Sequence, residues 1–270
     1  MPLKRMKILT AGSAGRTGRS SRRLGLWFGL VLGSAAITPV RAEYLVAPDV
    51  VVFCEPTLLH ALTELGATWR DQTGIPIRIF TSPTWALLGQ IAHHARSDLV
   101  IGEGEVEAAS ATERHLIKPA TLQHLWRNRL VAAANSASAP GDLASLAGKA
   151  PIAIVDPATA VAGAEGKRAL QALGLWDAVK SKSIGVVDTA DASFLLAEGS
   201  VQFALIYATD AAADPDFAVT DTLPPSSYAP IVYWMAEPMN ALSPNTAKFV
   251  AFLRQAPPDR LRRDGLEALQ

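Results

Sequence analysis

From residue 50 to residue 207, short runs of Val, Ile, Leu and Phe alternate with amphipathic segments, a rhythm that few architectures accommodate. VVVF (50–53), IPIRIF (75–80), SDLVIG (97–102), PIAIV (151–155), SIGVV (183–187) and FALIY (203–207) read as strands buried on both faces. Between them, Leu58, Ala61, Leu62, Leu65 and Trp69 recur at helical spacing and stop before Gly74. WALLGQIAHHA (85–95) predicts a second helix with Thr84 as its N-cap. Two more run from about 164 to 173 and from about 190 to 198, closed by Gly174 and Gly199. Strand followed by helix, repeated, predicts an α/β protein whose sheets are mostly parallel and flanked by helices.

At 270 residues, 49% of them hydrophobic, the chain can bury a large core in one or two compact units. Charge is distributed unevenly along it. Residues 1–42 hold eight basic residues (Lys4, Arg5, Lys7, Arg16, Arg19, Arg22, Arg23 and Arg41) and no acid. That leaves 17 of the 25 basic residues for the rest of the chain, which holds all 25 acidic ones, a balance of −8. A body this acidic argues against a nucleic-acid partner, whose affinity comes mainly from neutralised phosphates. The basic stretch leads into LGLWFGLVLGSAAI (24–37) and TPVRA (38–42), where Val40 and Ala42 stand in the small-residue pattern of a signal-peptidase site. The apolar run is shorter than the roughly 20 residues that span a bilayer. Residues 1–42 therefore read as a removable export signal, with the mature chain expected to begin at Glu43. SRRLGL (21–26) resembles a twin-arginine signal, with Gly25 where a bulky apolar residue is more usual, so the Sec and twin-arginine routes both stay open. The one cysteine, Cys54, excludes an internal disulfide and a multi-cysteine metal site, and no lipid-anchoring cysteine follows the signal.

The ends of the strands are where chemistry is expected. In open α/β sheets ligands sit beyond the carboxyl ends of strands, where helix N-termini present unpaired N–H groups and the positive end of a dipole. Such turns fall at Pro56 and Thr57, at Pro83 and Thr84, at Ala162 and Gly163, and at Asp188 and Thr189. Threonine hydroxyls without lysine or arginine suit an anion held by hydrogen bonds, and equally suit ordinary helix capping. His93 and His94, with His60, raise the possibility of a metal. Adjacent histidines on one helix diverge by about 100°, however, and lack the i, i+4 spacing that lets two share an ion. Cys54 with His60 as base would be the core of a cysteine-dependent enzyme, but no third member is recognisable.

VFCEPTLLHAL, TWALLGQI, SDLVIGEG, DPATAVAG…ALQALGLWDAV, LLAEGSVQFALIYATDA and APIVYWMA occur in this order along nearly the whole chain after residue 43. Together they resemble the periplasmic molybdate-binding proteins of ABC importers, which have the type II periplasmic solute-binding fold. The resemblance implies two α/β lobes joined by two crossing strands, lobe I from 43–128 and 225–270 and lobe II from 129–224. It implies no catalysis and no cofactor: a monomer would hold molybdate or tungstate between the lobes and deliver it to an inner-membrane permease. Carried over position by position, it places hydroxyl donors at Thr57, Thr84 and Tyr207 and backbone N–H donors at Ala162 and Thr189. The chain departs from the family where Cys54, Glu55 and Pro56 replace small residues, where threonine replaces serine at 57 and 84, and where Trp85 follows Thr84. A site for a dianion has no use for a carboxylate, so Glu55 is expected to face outward; facing the cleft and ionised, it would instead disfavour a dianion and suit a protonated oxyanion able to donate to it.

Overall fold

The computed structural model describes residues 49–137 and 141–269; the segment read as an export signal lies outside the described residues. The chain runs through β1 (Val50–Cys54), α1 (Leu59–Thr73), β2 (Ile77–Thr81), α2 (Thr84–Ala92), β3 (Leu99–Glu103), α3 (Glu105–Glu113) and β4 (Gln123–Asn128). It then passes into β5 (Leu130–Asn135), α4 (Leu143–Leu146), β6 (Ile152–Val155), α5 (Val161–Ala172), α6 (Trp176–Lys180), β7 (Ser183–Val186), α7 (Thr189–Ala197), β8 (Phe203–Tyr207), α8 (Ala208–Ala213) and β9 (Phe217–Thr222). It ends in β10 (Ile231–Ala236), α9 (Thr246–Arg254), α10 (Pro258–Arg263) and β11 (Glu267–Ala268).

Two sheets result, six strands in the order β11-β4-β10-β3-β1-β2 and five in the order β7-β6-β8-β5-β9. The chain crosses from the first to the second between Asn128 and Leu130, and returns between Thr222 and Ile231. Both sheets are mixed, which corrects the expectation of mostly parallel ones. β1 pairs in parallel with β2 and β3, and β6 with β7 and β8, but β10 runs antiparallel to β3 and β4, and β5 antiparallel to β8 and β9. The physical reason is the double crossing: a strand that carries the chain into or back into a sheet has no crossover helix to reverse it, and so lies antiparallel to its neighbours.

Strand alternation divides the core of each sheet into two faces. Val50, Val52, Cys54, Leu99 and Ile101 face the layer of α1, with Leu62, Leu65, Trp69 and Phe249, while Val51, Phe53 and Val100 face Leu87, Leu88 and Ile91 of α2. The second sheet does the same with smaller residues, Leu130, Ala132 and Ala134 on one side, Val131 and Ala133 on the other. Such burial on both faces produces the near-continuous apolar runs in the sequence. α1 closes on Gly74, whose left-handed φ of 71° ends the helix with its N–H on the Arg70 carbonyl. The helix expected at 164 begins earlier, at Val161, so that Ala162 and Gly163 lie in its first turn.

Candidate functional site

The carboxyl ends of β1 and β8 and the N-termini of α2, α5 and α7 are where the predicted site residues fall. Thr57 lies in a single 3-10 turn, Pro56–Leu58, which packs against α7 and α8 of the second sheet. Its hydroxyl is 2.8 Å from the Tyr233 hydroxyl of β10. Asn128, at the crossing, donates one amide group to Tyr233 Oη at 2.8 Å and to Thr209 Oγ1 of α8 at 2.9 Å. Thr57 is thus linked through Tyr233 and Asn128 to the other lobe.

Thr84 is the first residue of α2 and not its N-cap, a place taken by Pro83, which has no side chain able to cap. Glu55, the residue after β1, does that work instead. Its Oε1 accepts both the Thr84 backbone N–H, at 2.5 Å, and the Thr84 hydroxyl. The expected outward placement of Glu55 is therefore wrong: the 3-10 turn that follows β1 directs the carboxylate across to α2, where an unpaired first-turn N–H and a hydroxyl provide hydrogen bonds. Thr84 Oγ1 in turn accepts the backbone N–H of Glu103 at 2.9 Å. Trp85, next along, is 72% exposed.

Tyr207, buried at the end of β8, donates its hydroxyl to Oε1 of the buried Glu103 at 2.5 Å, joining the second sheet to the first. Its backbone N–H goes to Asp210 Oδ2 at 3.0 Å. Thr189 opens α7 and its hydroxyl also bonds Asp210, while Asp188 caps that helix by accepting from the Asp191 N–H at 2.9 Å. Ala162 is buried in the first turn of α5, whose N-cap Ala160 supplies no side-chain bond; the neighbouring Val161 side chain approaches Gly104 after β3. First-turn N–H groups of a helix lack intrahelical partners and carry its positive dipole end.

Three carboxyl groups thus stand among the predicted donors, and burial raises all three above the ordinary carboxylate range. Burial raises Glu55 to about 7, against the two bonds from Thr84, with Glu107 and Asp188 adding to the rise. Burial, then the charge of Glu55, raises Glu103 to about 8, despite the Tyr207 bond. Asp210 is raised by burial to about 6. Among the described residues no recorded ion pair reaches any of the three. Nor, among the described residues, are three His, Cys, Asp or Glu grouped to hold a metal ion. Cys54 is fully buried, which pushes its thiol far up and leaves it neutral, and His60 points elsewhere, 4.0 Å from Asp264 and half-exposed.

Glu103, Tyr233, Asn128, Thr209 and Asp210 were not singled out from the sequence. One signal for Glu103 was available: an acid ending the buried run SDLVIGE has to lie at a strand mouth.

Residues 50–266 match the family model of bacterial extracellular solute-binding proteins. The chain is 27% identical over 219 residues to the molybdate-binding protein ModA of Escherichia coli (strain K12), covering 78% of this chain and 85% of that one. Among solved structures, the periplasmic molybdate-binding protein of Azotobacter vinelandii superposes with a TM-score of 0.68 at 19% identity, over 82% of this chain and all of that one. PEB3 of Campylobacter jejuni, solved with L-phospholactate, gives 0.67 at 13% identity, over 82% of this chain and all of PEB3. These two likenesses are of fold.

Proposed function

Because this chain belongs to the bacterial extracellular solute-binding proteins, we propose that it is exported, captures a small tetrahedral oxyanion between its two sheets and hands it to an ABC permease. The molybdate-binding relative makes molybdate, with tungstate as its chemical twin, the first oxyanion to consider. One observation carries the reading. Thr84 presents an N–H and an O–H to a single oxygen, and Tyr207 presents an O–H to another from the opposite lobe. Those oxygens belong to Glu55 and Glu103, and donors that hold a carboxylate oxygen are of the kind that suit an oxyanion. The N-terminus of α5, which no side chain caps, and the Thr57–Tyr233 hydroxyl pair are further candidate donors.

Calorimetric titration with molybdate, tungstate and sulfate tests this. Thr57→Ala, Thr84→Ala and Tyr207→Phe should each weaken binding by about 10- to 150-fold, since a hydrogen bond to a charged acceptor contributes roughly 1.5–3 kcal/mol. Unchanged affinity in all three would return these hydroxyls to local structural roles. No binding of any oxyanion would remove the reading. A second reading, a different small ligand in the same cleft, is favoured by the two carboxylates, which could accept hydrogen bonds from a hydroxylated ligand. Phosphate and L-phospholactate in the same titration distinguish it.

A further inference from the structure

Resting on the oxyanion reading above, we propose that Glu55 and Glu103 make this site take its oxyanion together with a proton, so that a fully ionised dianion is captured only as the two carboxyl groups become protonated. The argument begins with the count of donors. The single hydroxyl proton of Thr84 is given to Glu55, and the oxygen already accepts the Glu103 N–H, so no second proton remains for a ligand. The Tyr207 hydroxyl proton is likewise committed to Glu103. An ionised carboxylate only accepts hydrogen bonds, whereas a protonated one donates. Protonating Glu55 and Glu103 therefore weakens their hold on the Thr84 and Tyr207 hydroxyls and adds two O–H donors to the site.

Charge points the same way. The groups facing Glu55 and Glu103 are Glu107 on α3, Asp188 at the head of α7, Asp210 on α8, the neutral Tyr207 and Tyr233, and the neutral thiol of Cys54. Arg129, which lies at the crossing between the sheets, is engaged by Glu267 at 3.2 Å. A dianion entering this surrounding meets negative charge from α3, α7 and α8 besides the two glutamates, with helix dipoles as the main counterweight, so neutralising the two buried carboxyls is the available relief. With Glu55 at about 7 and Glu103 at about 8, the protons are taken up within the range where such a protein operates.

Titrating molybdate into the wild-type protein at pH 7.5, in two buffers of different ionisation enthalpy, counts the protons directly. We expect about one proton taken up per molybdate bound, given half-titrated groups near 7 and 8. Affinity should fall by about tenfold per pH unit near pH 7.5, steepen towards about a hundredfold per unit above pH 8, and level off below about pH 6. Glu55→Gln keeps the oxygen that receives Thr84 but cannot ionise. It should bind molybdate more tightly than wild type at pH 8.5 and take up fewer protons. Zero proton uptake with pH-independent affinity in the wild type would overturn the proposal while leaving oxyanion capture standing. Absence of molybdate or tungstate binding by both proteins at pH 5.5 and 8.5 would overturn the oxyanion reading and this inference with it.

Discussion

At the scale of single residues, the buried carboxyls fix how stability responds to pH. Glu55, Glu103 and Asp210 hold protons in the folded state that the unfolded chain releases at the ordinary carboxylate values of 4.5 and 3.8. Their contribution is complete below those values and is lost as pH rises through about 6, 7 and 8. Asp98 acts in the opposite sense. Burial resists its ionisation, but the N–H groups of Val51, Leu242 and Ser243 and the Arg96 guanidinium outweigh it and hold the carboxyl below its usual value. Stability from Asp98 is present above the ordinary value and lost as pH falls through the lowered one. The ligand-free protein should therefore be most stable in mild acid and lose melting temperature between pH 5.5 and 8.5. Thermal unfolding across that range checks it, and Glu103→Gln should flatten the alkaline limb and melt above wild type at pH 8.5.

At the scale of elements, the three helix N-termini around the site are closed in different ways, and this decides what each offers a ligand. α2 is capped by Glu55, the residue after β1, α7 by its own Asp188, and α5 by no side chain. Asp188 therefore does two things at once: it satisfies the Asp191 N–H and places a negative charge that raises Glu55 and Asp210. Asparagine caps about as well as aspartate but carries no charge. Asp188→Asn should accordingly leave unfolding free energy within about 0.5 kcal/mol of wild type, while strengthening molybdate binding at pH 8. Denaturant titration and calorimetry on the same protein measure the two halves. Equal affinity would mean that the charge of Asp188 does not reach the ligand.

At the scale of the whole molecule, the seam between the sheets depends on a few close approaches. Asn128 joins Tyr233 of one sheet to Thr209 beside the other, and the Arg129 carbonyl accepts the Ala208 N–H at 2.9 Å. Gly265, between α10 and β11, lies against the same α8 terminus with φ of 78°, and a Cβ there would overlap the carbonyl of Ala208 and the N–H of Thr209. Backbone cannot give way as a flexible side chain would. Gly265→Ala combines a strained left-handed φ with overpacking and should cost about 2–4 kcal/mol, read as a lower denaturation midpoint with an unchanged slope. A change within about 0.5 kcal/mol would show that the C-terminal segment is not held against α8 in solution.

Which of these features the sequence determined by itself depends on the range of the interaction. The strands and helices were legible because burial on both sheet faces leaves runs such as VVVF and FALIY, and because 3.6-residue spacing places Leu58, Leu62, Leu65 and Trp69 together. Strand direction was not legible, since antiparallel entry of β5 and β10 follows from where the chain crosses between sheets. The threonines and Tyr207 were visible as hydroxyls at strand and helix ends, but their partners were not. Thr84 reaches back 29 residues to Glu55, and Tyr207 reaches 104 residues to Glu103. Local pattern carries no information about a contact of that separation. Only the tertiary structure decides that the Glu55 carboxylate turns to the N-terminus of α2, because the bonds that draw it there come from a residue 29 positions further along the chain.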